Sequence, residues 1–209
     1  MKLDLHLHTT RHSPDSMMTP EALLRRAHEL KLDGVVITEH DWLWTEAELD
    51  ELRGRAPDLL ILAGIEVSSF EGHILVYGVT DPFAVPHGIR VADLCREVHR
   101  QGGAAVAAHP FRWGQKFDDI LHRERPDLDG LELMTSNMDA DGRRRAAVVR
   151  AEYHLAGLGN SDAHHEDTLG CCYTEFPNGV RGIKDVAAAI RNRQTTARER
   201  AAVDVGAGL

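Results

Sequence analysis

The chain has 209 residues, enough for one sizeable hydrophobic core, and we expect a single domain over residues 1–209 without a lid or second domain. Its 33 acidic residues outnumber 24 lysines and arginines, which gives a formal net charge of -9. This balance argues against a broad surface for duplex nucleic acid or an anionic membrane. Because the apolar runs are short and the first residues lack the pattern of a leader, we expect a cytoplasmic protein.

Strand and helix patterns alternate along the chain, which is typical of parallel strands joined by helices. The first strand is expected at residues 3–9, and Thr19 with Pro20 marks the start of a helix over 19–31. The strands expected at 59–69 and 72–79 lie too close in sequence for a crossover helix, so we expect a hairpin. The other expected elements are strands at 34–40, 104–110, 130–136, 157–162 and 171–176 and helices at 45–56, 90–102, 118–124, 142–156 and 183–192.

Six or seven such strand and helix units favour either a closed barrel or an open, doubly wound sheet. The open sheet usually carries a nucleotide signature. No Gly-x-Gly-x-x-Gly follows the first strand, and the chain contains no Gly-Lys-Ser/Thr phosphate loop. We therefore predict the barrel.

The opening stretch LDLHLH places two imidazoles one residue apart in an apolar run. In a strand, Asp4, His6 and His8 share one face, so the two rings converge on one point. A half-exposed strand with its polar side chains in solvent explains the same pattern. The motifs in the rest of the chain are needed to distinguish a metal site from a half-exposed strand.

Residues that can bind metals recur where a predicted strand meets the following loop. In a parallel barrel these strand ends share one rim, where barrel enzymes build their sites. Any one of these histidines, taken alone, is more commonly a core residue satisfied by a single hydrogen bond. Five separate segments, however, place such a residue near a strand end. The residues are His6 and His8 in HLHTT, His40 in ITEHD, Glu66 and His73 in the single segment that holds GIEV and EGH, His109 in AAHPF, and Asp162 and His164 in NSDAH.

The number of these ligands exceeds what one tetrahedral zinc ion uses, which implies more than one metal. Glu66 and Asp162 are carboxylates that can bridge or chelate. Mixed imidazole and carboxylate ligation suits zinc, manganese or iron and does not choose among them.

The five motifs, in this order over residues 3 to about 170, resemble the polymerase and histidinol phosphatase (PHP) family. The resemblance implies a distorted seven-stranded (βα)7 TIM-like barrel and a metal-dependent phosphoesterase. It also implies a site for two or three divalent transition metal ions, which would make the full site trinuclear.

The resemblance further implies a distribution of ligands among the metals. Asp15 in HSPDS is the best match for the ligand from the first loop, with His12 as the alternative and a plain turn residue as the non-functional reading of Asp15. The implied groups are His6, His8, Glu66 and Asp162 for the first metal, Glu66, His73 and His109 for the second, and His40, His164 and Asp15 for the third.

A hydroxide bridging the first two metals is the nucleophile that the resemblance implies. An acidic protein must then supply positive charge locally for the phosphate. Arg112, directly after His109 and Pro110, is the first candidate, with Arg11 and Lys116 behind it. For each of the three, a solvated side chain at the rim is the competing reading.

Two further acidic residues are candidates for orienting histidines. Asp4 lies on the face of His6 and is a candidate acceptor for the ring nitrogen that a metal does not use. Glu39 would point away from His40, which favours either the orientation of another histidine or plain solvation.

The expected substrate is a small phosphate ester of the nucleotide, sugar phosphate or amino-alcohol phosphate type, and the resemblance also allows a short oligonucleotide. Two alternatives stay open: metal-dependent cleavage of an amide or carboxylic ester, and a noncatalytic domain stabilised by its metals.

Overall fold

The computed structural model describes residues 1–112 and 117–201, which form nine strands and six α-helices. None of these helices has the length and apolar character that crossing a membrane requires. The strands are β1 (Lys2–Asp4), β2 (Gly34–Ile37), β3 (Leu60–Ser68), β4 (His73–Tyr77), β5 (Ala104–Ala107), β6 (Gly130–Met134), β7 (Ala156–Gly159), β8 (Cys172–Glu175) and β9 (Thr196–Glu199). The helices are α1 (Pro20–Glu29), α2 (Glu46–Arg55), α3 (Val91–Arg100), α4 (Phe117–Glu124), α5 (Ala140–Tyr153) and α6 (Ile183–Arg191), and Pro82–Ala84 form a 3-10 turn.

The nine strands form one mixed sheet in the order β7-β6-β5-β4-β3-β2-β1-β8-β9. Neighbours are parallel from β1 to β3 and from β5 to β7, whereas β4 is antiparallel to both β3 and β5. Strand β8 is antiparallel to β1 and to β9. Side chains from the β8 and β9 side reach β7: Thr174 Oγ1 donates to the Gly159 carbonyl at 2.8 Å, and Thr195 Oγ1 donates to the Gly157 carbonyl at 3.1 Å. The sheet is therefore a nearly closed barrel.

The predicted α/β class and barrel shape are confirmed, but the predicted seven-stranded (βα)7 barrel is wrong. The hairpin between β3 and β4 was predicted, and it introduces an antiparallel strand because its turn holds too few residues for a helix. Strand β9 was not predicted from its polar sequence. It forms because β8 offers a free edge, where its polar side chains stay mostly exposed.

The start of α1 follows the prediction. Thr19 is the N-cap, its hydroxyl accepts a hydrogen bond from the Ala22 amide, and Pro20 occupies the first helical turn. Thr45 and Glu48 form a reciprocal capping box at the start of α2. These caps end the loops that carry the site and so fix where each loop can lie.

Three buried apolar clusters support the sheet. The first lies between the sheet and α3 to α5, and another packs the sheet against α1 and α2. The remaining cluster joins Leu3 and Leu5 to Tyr77 and to Ile190 of α6. Leu3 and Leu5, like Asp4, His6 and His8 on the opposite face, are fully buried, which decides against the half-exposed strand.

The packing at Gly34 gives a stability prediction. A Cβ atom there would lie 2.5 Å from the Leu60 carbonyl oxygen and 2.7 Å from Leu3 Cδ2. We expect Gly34→Ala to lower the free energy of unfolding by about 2 kcal/mol, as overpacked cores do. Urea denaturation measures the change.

The control is Gly54→Ala, because a Cβ atom at this exposed position of α2 meets nothing within 4 Å. It should raise the free energy of unfolding by about 0.5 kcal/mol through helix propensity. Equal changes in the two variants would contradict the close packing at Gly34.

Candidate metal centre

Four buried side-chain atoms converge beyond the end of β1. His6 Nε2 lies 3.3 Å from Glu66 Oε2 and 3.2 Å from Asp162 Oδ1. His8 Nε2 lies 3.2 Å and 3.3 Å from the same two oxygens. Within residues 1–112 and 117–201, none of these four atoms makes a hydrogen bond of suitable geometry, although each lies close to an atom of opposite type. Burying polar atoms without hydrogen bonds costs free energy of folding, so this group of atoms is a candidate binding site for a ligand.

The spacing of the four atoms fits a metal ion. Ligands at the bond lengths usual for zinc, around a tetrahedral centre, lie about 3.3 to 3.5 Å apart. The four nitrogen-to-oxygen distances agree with this value. The donor set of two imidazoles and two carboxylates is also one that zinc, manganese or iron accepts.

Glu66 connects this group to further histidines. Its Oε1 lies 2.8 Å from His73 Nδ1 and 3.0 Å from His109 Nε2, and its Oε2 lies 3.0 Å from His40 Nδ1. With His6 and His8, one carboxylate faces five imidazoles. Its two oxygens point to different sets of rings, which is the arrangement of a bridging ligand.

Asp15 joins the other side of the cluster. Its Oδ2 lies 3.2 Å from His40 Nε2 and 3.3 Å from His164 Nε2. His12, the alternative ligand, instead places its Nε2 2.9 Å from Glu48 Oε1, away from this group. The geometry therefore favours Asp15, whose role as a ligand stays a prediction.

The positively charged candidates lie in different places. Arg112 Nη1 is 3.2 Å from Asp162 Oδ2, and both residues line a cavity of about 380 Å³ at the cluster. Arg11 pairs with Glu48 at 3.2 Å and Glu51 at 3.6 Å. Lys116 lies outside the described residues. The other residues that line the cavity are Asp15, His40, Glu66, His73 and His164.

Backbone bridges at the strand ends explain why distant segments meet. The His8 amide donates to the Ala163 carbonyl at 2.9 Å, which sets HLH beside the loop carrying Asp162. A parallel bridge likewise joins His40 to Glu66. His109 and Asp162 have positive φ angles of 28° and 52°, which residues with side chains adopt infrequently.

Comparisons with known proteins agree with this geometry. The model of a PHP-associated family, PHP_C, matches residues 141–195. An uncharacterized protein of Methanocaldococcus jannaschii is 27% identical over 150 residues, which cover 65% of this chain and 82% of that protein. The 5'-3' exoribonuclease Rnm of Salmonella typhimurium is 35% identical over 86 residues, which cover 40% of this chain and only 29% of the exoribonuclease.

A solved structure extends the likeness to nearly the whole chain. It is a two-domain protein from Bacteroides vulgatus containing a predicted PHP-like metal-dependent phosphoesterase, and it superposes with a TM-score of 0.73 at 22% identity. The match covers 96% of this chain and 65% of that chain. Together these similarities support the PHP family that the five motifs resemble. The resemblance of the five motifs is thereby confirmed.

The candidate site has strong internal electrostatics. Burial opposes charge on Glu66, but the adjacent His6 and His109 hold the pKa of its carboxyl well below its usual range. Burial likewise opposes protonation of His40, yet Glu66 and Asp15 raise the pKa of its imidazole to about 9. The carboxylates and imidazoles therefore stabilise one another's charged forms when protons occupy the site.

Glu132 contacts the candidate site but was not predicted from the sequence. This buried side chain on β6 accepts a hydrogen bond from His6 Nδ1 at 3.0 Å and from the His109 amide at 2.6 Å. The predicted partner of His6, Asp4, instead accepts from the Ser161 and Gly170 amides. A lone glutamate within the apolar strand GLELM is the sequence signal that points to Glu132.

Asn137 was also missed. Its Nδ2 donates to Asp162 Oδ2 at 2.7 Å, the same oxygen that Arg112 contacts, so Asp162 Oδ1 is left to face His6 and His8. Asn137 lies in the loop after β6, where no periodicity marks a functional side chain.

The raised pKa of His40 gives a pH prediction. At neutral pH and without metal, the imidazole of His40 carries hydrogen on both ring nitrogens. A metal must displace one of these hydrogens to bind that nitrogen. We expect metal binding to release protons and the apparent affinity to rise as the pH approaches 9. Calorimetric titration in buffers of different ionisation enthalpy measures the release. Binding without proton release at neutral pH would contradict this description.

Proposed function

We propose that the chain is a metal-dependent hydrolase that cleaves small phosphate esters. The observation that carries this proposal is the set of four buried, unpartnered atoms with metal-ligand spacing, linked through Glu66 to three more imidazoles. The names of the exoribonuclease and of the PHP-like phosphoesterase support the same reaction class. Their activities belong to longer chains, so the substrate is inferred from this site.

The proposed site holds two or three divalent ions of manganese, zinc or iron. The contacts support the grouping in which the two oxygens of Glu66 serve different ions. The proposed ligands are His6, His8, Glu66 and Asp162 for the first ion, Glu66, His73 and His109 for the second, and Asp15, His40 and His164 for the third.

Bound ions would activate a water molecule as the nucleophile and neutralise charge on the phosphate oxygens. The protein's own residues fix the geometry for this chemistry. Glu66 is fully buried and holds both sets of imidazoles against one carboxylate. Glu132 and Asn137 hold His6 and Asp162 from behind, so the ligand atoms need not reorganise when a substrate enters.

Arg112 is the proposed phosphate-binding residue. Its guanidinium lies beside Asp162 and on the wall of the cavity, in a protein whose net charge is -9. A guanidinium can contact two phosphate oxygens at once and stabilise charge that builds up during the reaction. Arg11, already paired with two glutamates of α2, is less well placed.

The cavity of about 380 Å³ favours a small phosphate ester or the end of a short oligonucleotide over a duplex. The arginine beside the metal ligands also favours a phosphate over an amide or a carboxylic ester. A panel of histidinol phosphate, nucleoside mono- and bisphosphates and a 5'-phosphorylated oligonucleotide, assayed with each metal, tests the proposal. Absence of phosphate release from a fully metallated protein would refute it.

Asp162 provides the most direct mutational test. Asp162→Ala removes one ligand oxygen of the first site, and we expect it to abolish turnover of phosphate esters and to lower the bound metal per chain. Circular dichroism should show a folded chain. Unchanged turnover with unchanged metal content would refute the ligand assignment.

Arg112 and Arg144 form a matched pair of arginines. Arg112→Ala should lower kcat/KM by about 100-fold, the usual cost of losing one strong transition-state donor. Bound metal should not change. Arg144 pairs with Asp141 on the exposed surface of α5, so Arg144→Ala should keep the wild-type rate. Equal rates in the two variants would place phosphate recognition elsewhere.

A further inference from the structure

Ser13 connects two ligand-bearing segments of the proposed site. This residue is fully buried in the loop that follows β1. Its Oγ lies 2.5 Å from Glu39 Oε2, 3.3 Å from His8 Nδ1 and 3.3 Å from the backbone nitrogen of His40. One hydroxyl therefore contacts the side chain of one proposed ligand and the backbone of another.

The surroundings of Glu39 decide which way the Ser13 hydroxyl points. The Thr9 amide and the Ser13 hydroxyl donate to Glu39 Oε2, at 3.0 Å and 2.5 Å. The Thr9 hydroxyl and Trp44 Nε1 donate to Glu39 Oε1, at 2.5 Å and 3.0 Å. A carboxylate has room for about four donors and offers none itself. Glu39 therefore accepts all four hydrogen bonds, and the Ser13 hydrogen is committed to it.

The other hydrogen bonds of Ser13 follow from the number of donors and acceptors on its hydroxyl. A serine hydroxyl has one hydrogen to donate and two lone pairs that accept. With its hydrogen on Glu39, Oγ accepts from the His40 amide and from His8 Nδ1. His8 Nδ1 must then carry a hydrogen. The lone pair of the neutral ring is on Nε2, the atom that faces Glu66 and Asp162.

We propose that Glu39 and Ser13 are positioning residues that hold His8 in its metal-binding tautomer. Glu132 does the same for His6 by direct contact, whereas Glu39 acts on His8 through the serine hydroxyl. This inference rests on the proposed metal centre. It predicts that losing the Ser13 hydroxyl weakens metal binding although Ser13 is not a ligand.

Ser13→Ala and Thr9→Val form the closing experiment, because each removes one hydroxyl donor from the same Glu39 carboxylate and only Ser13 also contacts His8. Zinc affinity is measured by competition with a chelator on the full chain. We expect Ser13→Ala to weaken zinc binding by about 10- to 100-fold, as for other residues that orient a ligand. Thr9→Val should keep the wild-type affinity.

A second readout covers the case in which a variant does not fold. In the zinc-loaded wild-type protein, nitrogen-15 NMR should show His8 with hydrogen on Nδ1 and zinc on Nε2. The opposite assignment would overturn the inference. So would unchanged affinity in Ser13→Ala, or an equal loss in Thr9→Val. A wild-type chain that binds no zinc, manganese or iron would overturn the proposed function as well.

Discussion

The structure depends on one buried carboxylate. Glu66 lies in the interior with five imidazoles within 3.3 Å of its two oxygens. A carboxylate without such partners would be costly to bury. The imidazoles offset this cost by stabilising the charge of the carboxylate, but their own buried nitrogens also need partners. A metal ion among these atoms would satisfy the carboxylates and the imidazoles together.

The fold serves this cluster by bringing strand ends to one rim. The turn after β3 sends β4 back down the barrel, which places His73, the first residue of β4, opposite Ser68 and close to Glu66. A parallel bridge between Leu7 and Ala163 joins the first and last segments that carry candidate ligands. The antiparallel strand β4, which departs from a regular (βα) barrel, therefore helps to build the site.

Most of the candidate ligands could be predicted from the sequence because they lie near the end of a recognisable strand, as His40 does in ITEHD and His109 in AAHPF. The residues that orient these candidate ligands were harder to predict. Glu132 and Ser13 act through hydrogen bonds between segments that are distant in sequence, and such pairs leave no periodic pattern. Asp4 was assigned to His6 from its strand face, but the amides of Ser161 and Gly170 use its carboxylate. Strand periodicity predicts which side chains share a face and not which partner each one reaches.

The most direct test of a metal centre built around Glu66 is anomalous X-ray diffraction from crystals of the metal-loaded protein. The account predicts at least two anomalous peaks that share the Glu66 carboxylate, one of them among His6 Nε2, His8 Nε2 and Asp162 Oδ1. A metallated crystal with no peak at these atoms, or with ions only at surface sites, would contradict it.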